Sequence, residues 1–188
     1  MKIKALALAG LLASSPLYAA DYVIDTAGAH ASINFKISHL GYSFVLGRFN
    51  QFGGNFSYDA ANPNASTINL NIDVNSIDSN HAERDKHLRS ADFLEVDKYP
   101  EASFVSTSFT DMGDNKAKLA GDLTLKGVTK PIEIDVVKVG EGEDPWGGYR
   151  VGFAGTTALA LKDFGIDYNL GPAAEMVMMD LHIEGVRQ

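Results

Sequence analysis

Residues 67–75 read Thr-Ile-Asn-Leu-Asn-Ile-Asp-Val-Asn, an unbroken alternation of polar and apolar side chains. Successive side chains of a strand point to opposite faces, so this stretch builds a strand with one buried and one wet face. A helix would scatter Ile68, Leu70, Ile72 and Val74 around its circumference. The same period of two recurs in both directions. Upstream, Ile33, Phe35 and Ile37 alternate with Ser32, Asn34, Lys36 and Ser38. Downstream, Leu119, Leu123 and Leu125 share one parity, and Ile132, Ile134 and Val136 face Glu133 and Asp135. Val151, Phe153, Thr157, Leu159 and Leu161 form a further set, and Val177, Met179, Leu181 and Ile183 end the series. Shorter strands are expected at 22–25, 48–58 and 102–109. Turn residues at Asn62-Pro63-Asn64, Asp111 to Asp114, Lys126-Gly127 and Gly171-Pro172 separate the runs. Gly53-Gly54 predicts a bulge or sharp bend. Gly140 to Gly148 reads as a long hairpin loop anchored by a buried Trp146. Roughly eight or nine strands in hairpin order predict one antiparallel barrel or sandwich domain.

The chain has 188 residues and no cysteine, which excludes disulfides, Cys-ligated metal centres and a thiol nucleophile. Its 24 acids exceed its 16 Lys and Arg, so a broad basic face for nucleic acid is not expected. The first residues follow a different logic. Lys2 and Lys4 precede the small and apolar run Ala5 to Leu12, and Leu17-Tyr18-Ala19-Ala20 follows Ser14-Ser15-Pro16. That is the layout of a secretory signal, and its apolar run is too short to span a bilayer. Cleavage is expected after Ala19, with Ala20 as the alternative, leaving residues 20–188 as the domain. Loss of the two lysines takes the formal charge from −8 to −10. The route leads to the periplasm or the outside of the cell.

The one helical stretch is Asn80 to Phe93, NHAERDKHLRSADF. Asn80 with Glu83 fits a capping box, and Pro100 ends any helix by Tyr99. A helix placed between strands sits at a barrel end. His81 and Asp85 share a face at four-residue spacing, but His87 lies off it and no zinc-protease pattern is present, so no metal is expected. Arg84, Lys86, His87 and Arg89 offer donors for an anion, against an ordinary solvated helix with Asp85–Arg89 pairing. No nucleophile elbow or phosphate-binding loop occurs, and no catalytic residue is assigned. His182, between Leu181 and Ile183, is expected to face solvent or a polar partner.

Alternation alone does not say which parity faces inward, because an outer-membrane barrel has the same period. The apolar runs lack aromatic girdles, which favours the apolar-inside arrangement. An eight-stranded barrel then either fills itself or holds one slim ligand. Ala154, Gly155, Ala158 and Ala160 would leave room if they face inward.

Several motifs together resemble the YceI-like family. They are Ala20 to Asp25, His39-Leu40-Gly41-Tyr42-Ser43, the whole of Asn80 to Phe93, Gly121 to Leu125 with Gly127 to Pro131, Asp144-Pro145-Trp146-Gly147-Gly148 and Leu161-Lys162-Asp163-Phe164. The resemblance implies a lipocalin-like, eight-stranded antiparallel β-barrel, not membrane-spanning, whose pore binds polyisoprenoid or similar amphiphilic lipids of the quinone or polyprenyl phosphate type. It implies a binding or transport protein of the periplasm, not an enzyme, without a cofactor. It leaves room for a homodimer and for a membrane redox partner. On this reading Phe35, Ile37, Leu70, Ile72, Leu123, Ile134, Phe153, Leu159, Met179 and Leu181 line the pore for the lipid tail. Arg84, His87, Arg89 and His39 would meet the head group, with 80–93 and 39–43 as mouth elements. The competing readings are a hydrolase or isomerase using His81, Glu83 and Asp85, and a stress-response interaction module with a plugged core.

Overall fold

The alternating runs become eleven strands among the described residues. They are β1 (Ala20–Ile24), β2 (Ser32–His39), β3 (Ser43–Phe49), β4 (Phe52–Tyr58), β5 (Thr67–Asp73), β6 (Ile77–Asp78), β7 (Glu101–Gly113), β8 (Lys116–Leu125), β9 (Val128–Glu143), β10 (Tyr149–Ala160) and β11 (Met176–Arg187). One α-helix, α1 (Ala82–Arg89), lies between β6 and β7. This computed structural model describes residues 19–188, so the expected signal segment lies, apart from Ala19, outside the described residues.

Six of the strands are halves. Along one edge of β11, Tyr22 to Ile24 of β1 lie opposite Arg187 to Gly185, and Ser32 to Ile37 of β2 lie opposite His182 to Val177. β3 then pairs with β2, and β4 with β1. β5 pairs with β4, and β6 with β3. Joined end to end, the halves give eight antiparallel strands in sequence order, closed by β11 on β1 and β2. Closure is what satisfies the backbone groups an open sheet would leave at its edges.

The apolar parity faces inward. Ile33, Phe35, Phe56, Ile72, Phe104, Leu123, Ile134, Val136, Val151 and Leu159 are buried, while Asn69, Asn71, Glu133 and Asp135 are exposed. Each such side chain contributes roughly 1.5–3 kcal/mol on burial. Two inward glycines make room for rings. A Cβ at Gly121 would lie 2.3 Å from the Phe104 ring, and one at Gly185 2.4 Å from the Phe56 ring.

One barrel end, where β2, β5, β8 and β10 finish or turn, is closed by the segment after α1. Phe93, Leu94 and Val96 are buried there with Ile72, Val74, Ile77 and Ile166. Lys126 Nζ reaches across the plug to the Gly165 carbonyl at 3.1 Å. At the break between β1 and β2, Arg150 clamps three elements. Its Nη1 donates to Asp25 Oδ2 and Glu184 Oε1, both at 2.6 Å, and its Nε donates to Asp144 Oδ2 at 2.7 Å.

Several local expectations are corrected. The helix ends at Arg89, and its N-cap is His81, whose Nδ1 accepts from the Arg84 amide. Asn80 has a φ of 60° instead and belongs to the preceding turn. The helix has no Asp85–Arg89 pair, because Asp85 is buried against Ser79 and Arg89 is turned to backbone carbonyls. β9 runs through Gly140 to Glu143, so the hairpin turn is short. Trp146 at that turn is 79 % exposed, with the Arg150 guanidinium 5.9 Å from its ring. Gly53-Gly54 forms no bulge. The chain breaks earlier, at Asn50-Gln51, and the Gly54 position lies so close to the Asn69 carbonyl that a Cβ would collide with it at 2.1 Å.

Candidate ligand cavity

The barrel interior is not filled. A cavity of about 140 Å³ lies among residues of β2, β4, β5 and β7 to β11. A dry cavity of about 150 Å³ holds a benzene ring, so this one takes roughly five or six carbon atoms as it stands. Leu70, Ile72, Leu123, Ile134, Phe153, Leu159, Met179 and Leu181, eight of the ten expected pore residues, are on its wall. The other two are placed nearby. Phe35 packs tilted against Phe49 with ring centroids 6.2 Å apart, beside the plug, and Ile37 pairs across from Val177 outside the wall. Of the four small residues expected to leave room, Ala154 and Gly155 border the cavity. Ala158 and Ala160 do not, since they lie opposite Met178 and Met176 on the outer face.

Among the described residues no Asp, Glu, Lys, Arg or His lines the cavity. The wall also contains hydroxyl residues at the end away from α1: Ser57, Tyr58, Ser66 and Thr67. Tyr22 and Phe56 stack there at 5.0 Å, and Lys138 lies 5.6 Å from the centre of the Tyr58 ring while donating to Glu141 at 3.0 Å. Burial raises the Tyr22 phenol above its ordinary value. Glu141 raises the Lys138 ammonium likewise.

The residues expected to hold a head group are not gathered at the cavity. Arg84 donates to the Ser79 hydroxyl at 2.7 Å and to the Ser79 carbonyl at 2.5 Å. Arg89 donates to the carbonyls of Asn75 at 2.8 Å and Ile77 at 2.6 Å. Both guanidiniums thus tie α1 to the chain leading through β6, satisfying backbone groups that the short β6 leaves unpaired. His87 meets Asp92 at 2.9 Å and stands edge-on to Phe93 and Tyr168. His39 is exposed at the end of β2. The expected mouth segment 80–93 leads into the plug and contributes Phe93 to it, and the 39–43 turn exposes Leu40 and Tyr42 at the same barrel end.

His81, Glu83 and Asp85 do not converge either. His81 caps the helix, Glu83 is exposed and Asp85 accepts from the Ser79 amide at 2.8 Å. Among the described residues one group has metal-ligand geometry, Asp25, His30 and Glu184, with ligand atoms within 4.8 Å of one another. Arg150 already binds both of its carboxylates. His182 faces outward toward Asp180 at 3.4 Å.

The family model of the YceI-like domain matches residues 22–185. The chain belongs to the YceI-like family. This YceI-like chain is 59 % identical over 186 residues to a UPF0312 protein of Shewanella baltica strain OS155, covering 99 % of the chain and 97 % of the relative. It is 60 % identical over 178 residues to a UPF0312 protein of Shewanella sp. strain ANA-3, covering 95 % and 93 %. Among solved structures, BcnA of Burkholderia cenocepacia superposes with a TM-score of 0.75 at 22 % identity, over 86 % of this chain and 98 % of BcnA. The YceI protein of Campylobacter jejuni superposes at 0.73 with 25 % identity, over 81 % and 91 %. A polyisoprenoid binding domain from Saccharophagus degradans, implicated in plant cell wall breakdown, superposes at 0.64 with 17 % identity, over 91 % and 100 %. Among the described residues no helix is long and apolar enough to cross a membrane.

Proposed function

We propose that this YceI-like barrel is a binding protein that takes the apolar tail of a polyisoprenoid or similar amphiphilic lipid into its interior and carries it through the periplasm, without transforming it. The observation that carries the reading is the cavity inside a closed barrel with an uncharged wall. Burying a charge without a partner costs heavily, so such a wall selects hydrocarbon. The polyisoprenoid binding domain with the same fold supports the class of ligand. The residues Leu70, Leu123, Ile134, Met179 and their neighbours are assigned to the tail, and the signal-like residues 1–19 to export.

The size of the cavity sets a condition on binding. At about 0.3 kcal/mol per buried atom, twenty carbons give about 6 kcal/mol, or tens of micromolar. About 140 Å³ accommodates far fewer than twenty. A long tail therefore enters only by moving side chains, and Met179, unbranched and adaptable, is the wall residue best suited to yield.

Filling the space tests the reading. A Cβ at Gly155 would lie 3.0 Å from Ile134 Cγ2 and 3.6 Å from Leu181 Cβ, pointing into the barrel. Gly155→Leu is expected to weaken binding of a polyprenol to lipid-stripped protein by at least about tenfold, equal to about 1.4 kcal/mol. Circular dichroism checks that the barrel persists. Unchanged affinity in a folded variant would place the tail elsewhere.

A further inference from the structure

We infer that the cavity holds its ligand's polar end at Ser66, and that this end is an uncharged hydrogen-bonding group, a hydroxyl or carbonyl, and not a phosphate. The inference rests on the lipid-binding reading above and adds the place and chemistry of the head group.

Ser66 precedes Thr67 at the start of β5 and continues the inward parity of Ile68, Leu70 and Ile72. Its hydroxyl oxygen is shut off from solvent and has no hydrogen-bond partner, the one such side-chain atom among the described residues. Three other hydroxyls of this wall are engaged: Ser57 and Thr67 bond each other at 2.9 Å, and Thr157 donates to the Glu133 carbonyl at 2.7 Å. A buried hydroxyl without a partner is costly, and native structures rarely keep one without a use.

Ser66 also lies beside a seam. The β5–β7 ladder covers only Asn69 to Asp73 against Val105 to Glu101. Beyond it the strands part, and β7 changes register against β8 between Ser106 and Ser108. Side chains bridge the gap: the Ile68 amide donates to Ser106 Oγ at 2.8 Å, and the Asp111 amide to Asn64 Oδ1 at 2.7 Å. Ser66, Thr67, Ile68 and Phe109 line the cavity at this place. A lipid seated with its tail among Leu70, Leu123 and Leu181 would present its head here.

The charge of that head follows from the surroundings. Among the described residues no cation lines the cavity, and Lys138, near Tyr58, is held by Glu141. A phosphate would lose its hydration with nothing to replace it. A hydroxyl or carbonyl needs one partner, and a serine hydroxyl both donates and accepts.

The test titrates lipid-stripped protein and its Ser66→Ala variant with three probes: a polyprenol, the matching polyprenyl phosphate, and squalene, a hydrocarbon with no head. In the parent protein the polyprenol is expected to bind about tenfold tighter than squalene, the worth of one buried hydrogen bond. The phosphate is expected to bind more weakly than the alcohol. Ser66→Ala erases the preference for the alcohol, leaves squalene affinity unchanged and keeps or raises Tm, because it removes an unpaired buried hydroxyl. Equal binding of alcohol and squalene by the parent, a preference that survives the substitution, tighter binding of the phosphate, or a lowered Tm would each overturn the assignment to Ser66. Failure of squalene and both prenyl lipids to bind would instead overturn the barrel reading itself.

Discussion

Leu123→Asp is expected to lower the affinity for a polyprenol by about a hundredfold or more, the largest effect predicted for the interior. Leu123 is buried and borders the cavity from β8. Among the described residues no positive side chain shares that wall. A carboxylate placed there draws in water or takes up a proton, and either outcome replaces a dry apolar surface with a polar one. The substitution also destabilises the fold, so it is paired with Leu123→Ala. Removing the leucine atoms costs about 2–5 kcal/mol of stability but enlarges the cavity. The alanine variant is therefore expected to lose stability and keep lipid affinity, whereas the aspartate variant loses both. Equal affinities in the two folded variants, by titration calorimetry on lipid-stripped protein, would show that Leu123 does not face the tail.

Replacing Arg150 with methionine is expected to lower Tm at pH 7 by roughly 4–8 °C, with the cavity wall untouched. Arg150 holds Asp25, Asp144 and Glu184 together where the paired halves β1 and β2 separate. Methionine keeps most of the volume and leaves three carboxylates to repel one another. The guanidinium keeps the Asp25 carboxyl well below the usual carboxylate range, assisted by His30 and the Gly28 amide. The same guanidinium lowers Asp144, with help from the Gly148 and Trp146 amides. A carboxyl whose folded pKa is depressed contributes stability that is complete above its unfolded value, about 3.9, and is lost as pH falls toward the folded value. The Tm gap between parent and Arg150→Met is thus expected to be constant from pH 7 to about pH 5 and to shrink below about pH 4. A gap that widens in acid would contradict the clamp.

The barrel is legible in the sequence because its strands are half-buried. In residues 67–75 each asparagine faces water and each aliphatic residue faces the core, so a period of two is enough to find the strand and its inner face. β3 is harder to read. Its Phe44 and Leu46 are exposed while Val45 lies between them, so apolar residues occupy both faces of Ser43–Phe49 and the alternation vanishes. Trp146 misleads for a related reason. Its size predicts burial, yet it stands on a tight turn under Arg150, a partner four residues on that hydrophobicity does not encode. Long-range geometry decides where the expected head-group residues lie. Arg84 and Arg89 carry donors suited to an anion, but the fold lays α1 against Asn75, Ile77 and Ser79, whose backbone takes those donors first. Ser66 was within reach, one step back along the inner parity of Ile68 and Leu70. What the sequence does not display is that its hydroxyl ends without a partner.

A lipid site and a filled core are distinguished by expressing the full-length chain, extracting the purified protein with organic solvent and quantifying the extract by mass spectrometry. Close to one isoprenoid or comparable long-chain amphiphile per chain is expected, and its loss in parallel preparations of Gly155→Leu and Leu123→Asp. An extract without lipid, together with no uptake when stripped protein is offered polyprenol, quinone and squalene, would contradict the lipid site.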